Sequence, residues 1–277
     1  MSASSGSEER PPPGETIGIF GGSGFYSFLD EVEEVAIDTP YGPPSARVRI
    51  GAIEGRRVAF MPRHGDEHTL PPHRINYRAN VWAMRRVGVT RIIGPAACGA
   101  LKAELEPGTF VVCDQFVDRT TGRQDTFYDG PQTTHVSAAD PYCPGLSATL
   151  ADSARELDIP VVQGGTVVVI QGPRFSTRAE SRWFAQAGWD VVNMTQYPEA
   201  WLARELGLCY ANVSLVTDYD VGLEGLADVP AVSAEAAFAV FSENLDRLRA
   251  LLFRAVPKVG PQLGDSCASA LSSAIVH

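Results

Sequence analysis

Short runs of β-branched and aromatic residues recur along this chain, each bounded by glycine, proline or a polar cluster. Thr16–Phe20, Ala46–Ile50, Arg57–Met61, Arg91–Ala96, Thr109–Phe116, Thr166–Ile170, Asp190–Met194 and Cys209–Val216 read as strands. Between them the apolar positions change period. In Asn76–Val87, the residues Val81, Met84 and Val87 recur at helical spacing, and Gly88 supplies a stop. Leu146–Leu157, Arg178–Ala187, Glu199–Leu206 and Ala234–Phe253 read as helices too. Strands alternating with helices of this length predict an α/β sandwich around a largely parallel sheet. The early strands between residues 35 and 61 have no helix between them, so that part is expected to be antiparallel and the sheet mixed. No internal repeat or linker interrupts the pattern. The reading is one domain over residues 16–258, with tails at 1–15 and 259–277.

Composition narrows the functional class. The chain has 277 residues, 44% hydrophobic and 20% charged, enough for one sizeable core. Its net charge of −10 and lack of a basic run argue against nucleic-acid binding. No apolar stretch approaches membrane-spanning length. The opening MSASSGSEERPPPGET has no apolar segment of a signal peptide, so a disordered tail and a cytoplasmic location are expected. The Gly/Ser/Ala-rich end from Gly260 is expected to be loose. The five cysteines, Cys98, Cys113, Cys143, Cys209 and Cys267, form no CxxC and lie near no histidine in sequence, which reads as reduced thiols and no metal site. His64 and His68 are four apart, but Gly65 and the Pro71-Pro72 pair oppose a helix that would align them.

In open α/β sheets, ligands bind beyond the carboxyl ends of the strands. Six such ends are polar or glycine-rich: GGSG after Phe20, PRHG after Met61, GPAACGA after Ile93, QGPRFST after Ile170, NMTQYPEA after Val192 and TDYD after Val216. GGSG fits neither a dinucleotide fingerprint, since its third position is Ser27, nor a P-loop, since no lysine follows. It leaves a glycine turn with one hydroxyl, Ser23, which either faces a small anion or closes a plain turn. Arg63-His64 reads as an oxyanion clamp, as an exposed turn paired to Asp66 or Glu67, or as the phosphorylated motif of a histidine phosphatase. Thr195, before Pro198, is a plain N-cap or a hydroxyl at an anion-binding helix start.

Asp218 and Asp220 are two apart, so a continuing strand turns both carboxylates to one side. Neighbouring carboxylates disfavour double ionisation. One is then able to donate a proton near neutral pH while the other accepts from an amino group. The bland alternative is a solvated acidic turn. Phe175 either stacks on a flat ligand or fills core, and Arg174 reads as a structural ion-pair residue.

Ten motifs occur in order between about Ile17 and about Phe253: GGSGFY, DTPYGPPS, PRHG, NYRANVWAM, ACG, DRTTGR with TFYDG, DPYCP, GPRFSTRAES, VVNMTQYPEA and TDYD. In these the chain resembles the purine nucleoside phosphorylase family, in its 5′-methylthioadenosine-cleaving branch. The resemblance implies a single-domain three-layer α/β/α sandwich of the nucleoside phosphorylase fold. It implies a pentosyltransferase of purine and methionine salvage, a homotrimer that needs no cofactor and no metal, with orthophosphate as co-substrate. In this family the RHG motif holds phosphate, which removes the phosphatase.

Carried over residue by residue, the resemblance puts phosphate against Ser23, Arg63, His64, Ala96, Ala97 and Thr195. It puts ribose against Met194 beside Asn193, and the purine beside Phe175 and Ser176. Asp218 and Asp220 then face N7 and the 6-amino edge, and His135 reaches the 5′ end from a neighbouring subunit. Ala96 stands where relatives often have threonine, so one phosphate hydroxyl is missing. Leu223–Phe238 is expected over the 5′ group, where Ala234, Ala237 and Phe238 make an apolar pocket for a methylthio or 5′-halo substituent. An ionised Asp220 favours adenine over a 6-oxopurine. Adenosine, 6-oxopurine nucleosides and a catalytically silent nucleoside-binding role remain as alternatives.

Overall fold

The computed structural model describes residues 15–21, 30–131, 133–221, 232–260, 266–272 and 274. Ser23, the span 223–231 and most of the expected N-terminal tail lie outside the described residues. Among the described residues, eleven strands form one sheet. They are β1 (Thr16–Gly21), β2 (Asp30–Val35), β3 (Val48–Ile53), β4 (Arg56–Pro62), β5 (Val89–Ala100), β6 (Phe110–Val112), β7 (Gln115–Arg119), β8 (Val161–Gln163), β9 (Thr166–Ile170), β10 (Val191–Asn193) and β11 (Cys209–Asp218). Six α-helices accompany them among the described residues: α1 (Tyr77–Arg86), α2 (Pro144–Arg155), α3 (Arg178–Gln186), α4 (Gln196–Glu205), α5 (Ala234–Glu243) and α6 (Leu245–Ala255).

The long strand β5 organises the sheet. It runs parallel to β1 and β11 and meets β10 antiparallel at Gly99 and Ala100. β2, β3 and β4 are antiparallel, as the absence of helices between them requires, while β4 runs parallel to β1. The sheet is therefore mixed and largely parallel.

Its strands are apolar on both faces because both are covered. Along β4, Val58 and Phe60 enter one core while Ala59 and Met61 enter the other. Along β11, Tyr210 and Val216 pack with residues of α1 and α4, whereas Ala211, Val213 and Leu215 pack with residues of α2 and α6. This alternation at period two makes the three layers. A smaller cluster packs Phe184 of α3 on Val168 and Val192.

Two expected elements are split. The run Thr109–Phe116 breaks at Asp114, whose carboxylate accepts from Gly165 N–H at 3.1 Å. β6 then pairs with β8 and β11, while β7 pairs with β9. The long C-terminal helix breaks at Asn244, whose backbone leaves the helical region (φ −99°, ψ 2°) and whose side chain donates to Val240 O at 2.9 Å. β2 and β8 are strands that the sequence pattern did not mark. The segment after residue 258, expected to be loose, carries Cys267 and Ala274, both buried, and His135 N–H donates to Ala274 O at 2.8 Å.

One glycine controls how the centre closes. A Cβ on Gly94 of β5 would lie 1.8 Å from Tyr210 Oη and 3.2 Å from Glu199 Oε1. Gln196 Nε2 and Asn212 Nδ2 both donate to the Gly94 carbonyl, at 3.2 and 3.1 Å. Gly94→Ala is expected to destabilise the protein by about 3 kcal/mol or more, because backbone and buried rings have no room to yield. Urea unfolding should show a lowered midpoint with an unchanged slope.

Candidate active site

A cleft of about 580 Å³ opens at the carboxyl ends of β4, β5, β10 and β11. Its lining includes Arg63, His64, Ala96, Ala97, Asn193, Met194, Thr195, Phe175, Asp218, Asp220, Ala234 and Phe238, twelve of the residues singled out in the sequence. Ser176 lies just behind the wall, beside Asp220. His135 is exposed and is not among the lining residues of its own chain.

Arg63 follows β4 and is almost wholly buried. It pairs with neither Asp66 nor Glu67. Asp66 pairs instead with Arg49 at 2.6 Å. Arg63 makes a two-pronged bond to the fully buried Glu199 of α4, Nε to Oε2 at 2.8 Å and Nη2 to Oε1 at 2.7 Å. Its Nη1 donates to Pro95 O at 2.8 Å. Tyr210 adds a third donor to the carboxylate, Oη to Oε1 at 2.6 Å. Burial opposes the guanidinium charge, but Glu199 more than offsets it, so the Arg63 pKa rises above its ordinary value. A guanidinium has five N–H donors, and these three bonds leave two for a ligand.

His64 places Nδ1 2.8 Å from Leu70 O, an acceptor only, so Nδ1 carries the proton and Nε2 is an acceptor. Burial, with help from Arg63 and His68, lowers its pKa from 6.5 to about 4. The imidazole is therefore neutral at pH 7. His68, four residues on, stacks on it at 4.4 Å between ring centroids through a turn and not a helix.

Thr195 is the residue before α4, and its side chain makes no capping bond. The hydroxyl is therefore not consumed by the helix end. Ala97 is exposed inside an otherwise buried strand, and with Ala96 it contributes to the cleft.

At the other end of the cleft sit the two aspartates. Asp218 Oδ1 accepts from Asp220 N–H at 2.7 Å, and Oδ2 lies 2.8 Å from the Thr217 hydroxyl. The strand does not continue to Asp220, which adopts a left-handed backbone (φ 53°). The two are brought together by this turn, not by strand alternation. Asp220 is buried with the Ser176 and Ser181 side chains beside its carboxyl group, and its Oδ2 makes no hydrogen bond of good geometry among the described residues. Burial raises both carboxyl pKa values, and repulsion by Asp220 is the smallest contribution at Asp218. Desolvation thus outweighs mutual repulsion in raising these groups. Gly99 leaves room for the pair: a Cβ there would lie 2.8 Å from Asp218 Oδ1.

The wall and mouth are aromatic and apolar. Phe175 is 37% exposed and Phe238 is 70% exposed, so Phe175 is a cleft residue and not core. Arg174 forms an ion pair with Glu180 at 2.7 Å, as expected. Two residues with no role in the sequence reading act behind the lining. Glu199 holds Arg63, and Arg123 donates to Met194 O at 2.9 Å and Gln171 O at 2.8 Å. Both lie within quoted motifs, but only the fold aims them at the cleft.

The phosphorylase superfamily model matches residues 16–257. The chain is 54% identical to a purine nucleoside phosphorylase of Streptomyces coelicolor, over 92% of this chain and 94% of that protein. It is 50% identical to the S-methyl-5′-thioadenosine phosphorylase of Pyrococcus furiosus, over 94% and 99%. Among solved structures, the methylthioadenosine phosphorylase from Schistosoma mansoni in complex with adenine superposes with a TM-score of 0.87 at 35% identity, over 94% of this chain and 98% of that one.

Two outcomes follow from the electrostatics. Glu199→Ala leaves Arg63 charged, buried and unpaired, and should cost about 3–5 kcal/mol of stability, whereas Glu199→Gln, which keeps shape and one acceptor, should cost less; chemical denaturation of both separates them. The folded state also holds His64 at about 4 against 6.5 ordinarily, so the unfolded chain takes up the proton first. The stability tied to the neutral ring is complete above about pH 6.5 and is lost as pH falls towards about 4. His64→Gln should flatten that part of the stability-against-pH curve relative to the parent.

Proposed function

The chain belongs to the phosphorylase superfamily, and from that premise we propose that it cleaves 5′-methylthioadenosine with orthophosphate, releasing adenine and 5-methylthioribose 1-phosphate. The observation that carries this reading is the polarity of the cleft. A buried cation, Arg63, lies against Pro95 of β5, and the buried Asp218–Asp220 pair lies against Gly99 further along the same strand, with Asp220 Oδ2 making no hydrogen bond among the described residues. An anion suits the first and an N–H donor the second. Orthophosphate and the 6-amino group of adenine have those two properties.

Phosphate is held by Arg63, Thr195 and Ser23, with His64 Nε2 accepting from a P–OH. It attacks C1′ as the bond to N9 breaks, and the bonding electrons leave with the purine. The transition state is cationic at the sugar, and the held anion stabilises it electrostatically. Asp218, its pKa raised by burial, gives its proton to N7 so that the base leaves neutral. Asp220, ionised, accepts from the 6-amino group. Met194 positions the ribose, fixed through its carbonyl by Arg123, with Asn193 beside it. Phe175 lies against the base. Ala234 and Phe238 of α5 cover the 5′ group, with His135 supplied by a neighbouring subunit of a trimer. The enzyme serves cytoplasmic purine and methionine salvage.

A second reading rests on the name of the Streptomyces relative, purine nucleoside phosphorylase. It keeps the chemistry and widens the substrate to other purine nucleosides. Base release from 5′-methylthioadenosine, adenosine and inosine, each with and without phosphate, separates the two. Phosphate-dependent release that is fastest with methylthioadenosine is expected. Inosine as the best substrate would sink the assignment of Asp220 while leaving phosphorolysis intact, and release without phosphate would mean hydrolysis. In Asp220→Asn the amide donates to a 6-oxo group, and the ratio of kcat/KM for adenosine over inosine should fall by at least about 10-fold.

A further inference from the structure

Three cysteines that are far apart in the chain meet at the opposite end of β11 from the cleft. The sulphur atoms of Cys143, Cys209 and Cys267 all lie within 4.8 Å of one another, and all three residues are buried. Each comes from a different element. Cys143 precedes the first turn of α2 and is anchored there by its N–H bond to Tyr210 O at 2.8 Å. Cys209 opens β11. Cys267 belongs to the segment after residue 258. Sequence spacing hid the group, because no two of its members are neighbours.

We propose that this trio is a tri-thiolate site for a thiophilic d¹⁰ cation of the zinc class. Three convergent sulphurs with no carboxylate or imidazole among them form a donor set that selects soft or borderline metals over calcium or magnesium. With metal–sulphur bonds of about 2.3 Å, tetrahedral ligands stand about 3.8 Å apart, within the observed span. A disulfide uses two sulphurs and leaves the third over; a metal uses all three.

The surroundings suit an anionic centre. Arg91, opposite Cys209 in the sheet register, donates Nη1 to Cys209 Sγ at 3.5 Å. Arg204 acts electrostatically on Cys267; it is buried, and its Nη1 has no hydrogen-bond partner among the described residues. Three thiolates around one dication carry a net charge of −1, which these guanidinium groups offset.

On binding, the thiol S–H bonds break, sulphur–metal bonds form, and the protons pass to solvent; no electrons are transferred. The ion ties the segment containing Cys267 to α2 and β11. At about 3.3 Å per residue, the length of β11 separates this site from Asp218, so occupancy is expected to change stability rather than the chemistry of the cleft.

The test uses the full chain, reduced and treated with a chelator, then titrated with Cd²⁺ and, in competition, Zn²⁺. One Cd²⁺ per chain, a sulphur-to-cadmium charge-transfer band and a raised Tm are expected. Cys267→Ser and Cys267→Ala should lose the band and the Tm shift, and Cys113→Ser, outside the trio, should keep both. No band in the folded parent protein would overturn the proposal, as would a band that survives in both Cys267 variants. So would freshly purified protein with two fewer titratable thiols and a mass lower by two hydrogens, which would make the trio a disulfide pair with a bystander.

Discussion

The buried ion pair between Arg63 and Glu199 is the constraint on which the rest of the cleft depends. It joins the loop after β4 to the first turns of α4, with Tyr210 of β11 completing the carboxylate and Pro95 of β5 completing the guanidinium. Four elements are therefore held by one pair of charges. Such a pair is costly to desolvate and is tolerated when nearly every donor and acceptor is used. Here the geometry is two-pronged and supplemented on both sides. Gly94 lacks a side chain where the Tyr210 ring and the Glu199 carboxylate must approach β5. The closeness of the sheet and the charge of the site are thus one problem with one solution.

That local arrangement lets an acidic chain present a cation in its cleft. The net charge of −10 acts through solvent and is screened beyond about a Debye length, whereas Arg63 acts inside a buried cleft. Glu199 cancels much of its charge, yet leaves two N–H donors aimed by a rigid partner. His64 is held neutral by burial and by the adjacent cation, which makes it an acceptor and not a second positive charge. The aspartate end uses the reverse logic. Desolvation there raises two carboxyl groups, and the turn at Asp220 leaves one oxygen without a hydrogen bond among the described residues. The cleft is polar in opposite senses at its two ends, and β5 spans the distance between them.

The aspartates also show how a sequence inference that groups two residues can rest on an incomplete reason. Two carboxylates two residues apart were expected to face one way along a strand. The strand ends at Asp218, and a left-handed residue at Asp220 brings the second carboxylate to the cleft. The residue types were sufficient to identify the pair, but the backbone that unites them was not written in the alternation. Arg63 is a parallel case. The sequence offered it as an oxyanion clamp or as an exposed turn paired to Asp66 or Glu67, and its buried partner, 136 residues away, was not legible.

Local patterns in the sequence determined most of the strands and helices, the antiparallel start of a mixed sheet and the polar strand ends that line the cleft. Ordered motifs pointed to the family. These are properties of neighbouring residues, whose period and side-chain type act over a few ångströms. Tertiary structure alone decided where the run Thr109–Phe116 breaks, since Asp114 acts through Gly165, which the fold brings to it. It alone paired Arg63 with Glu199, set Arg123 behind Met194, and gathered Cys143, Cys209 and Cys267 at one point. Each of these depends on contacts between segments distant along the chain. Those contacts exist only once the sheet has closed around β5, and no window of sequence contains them.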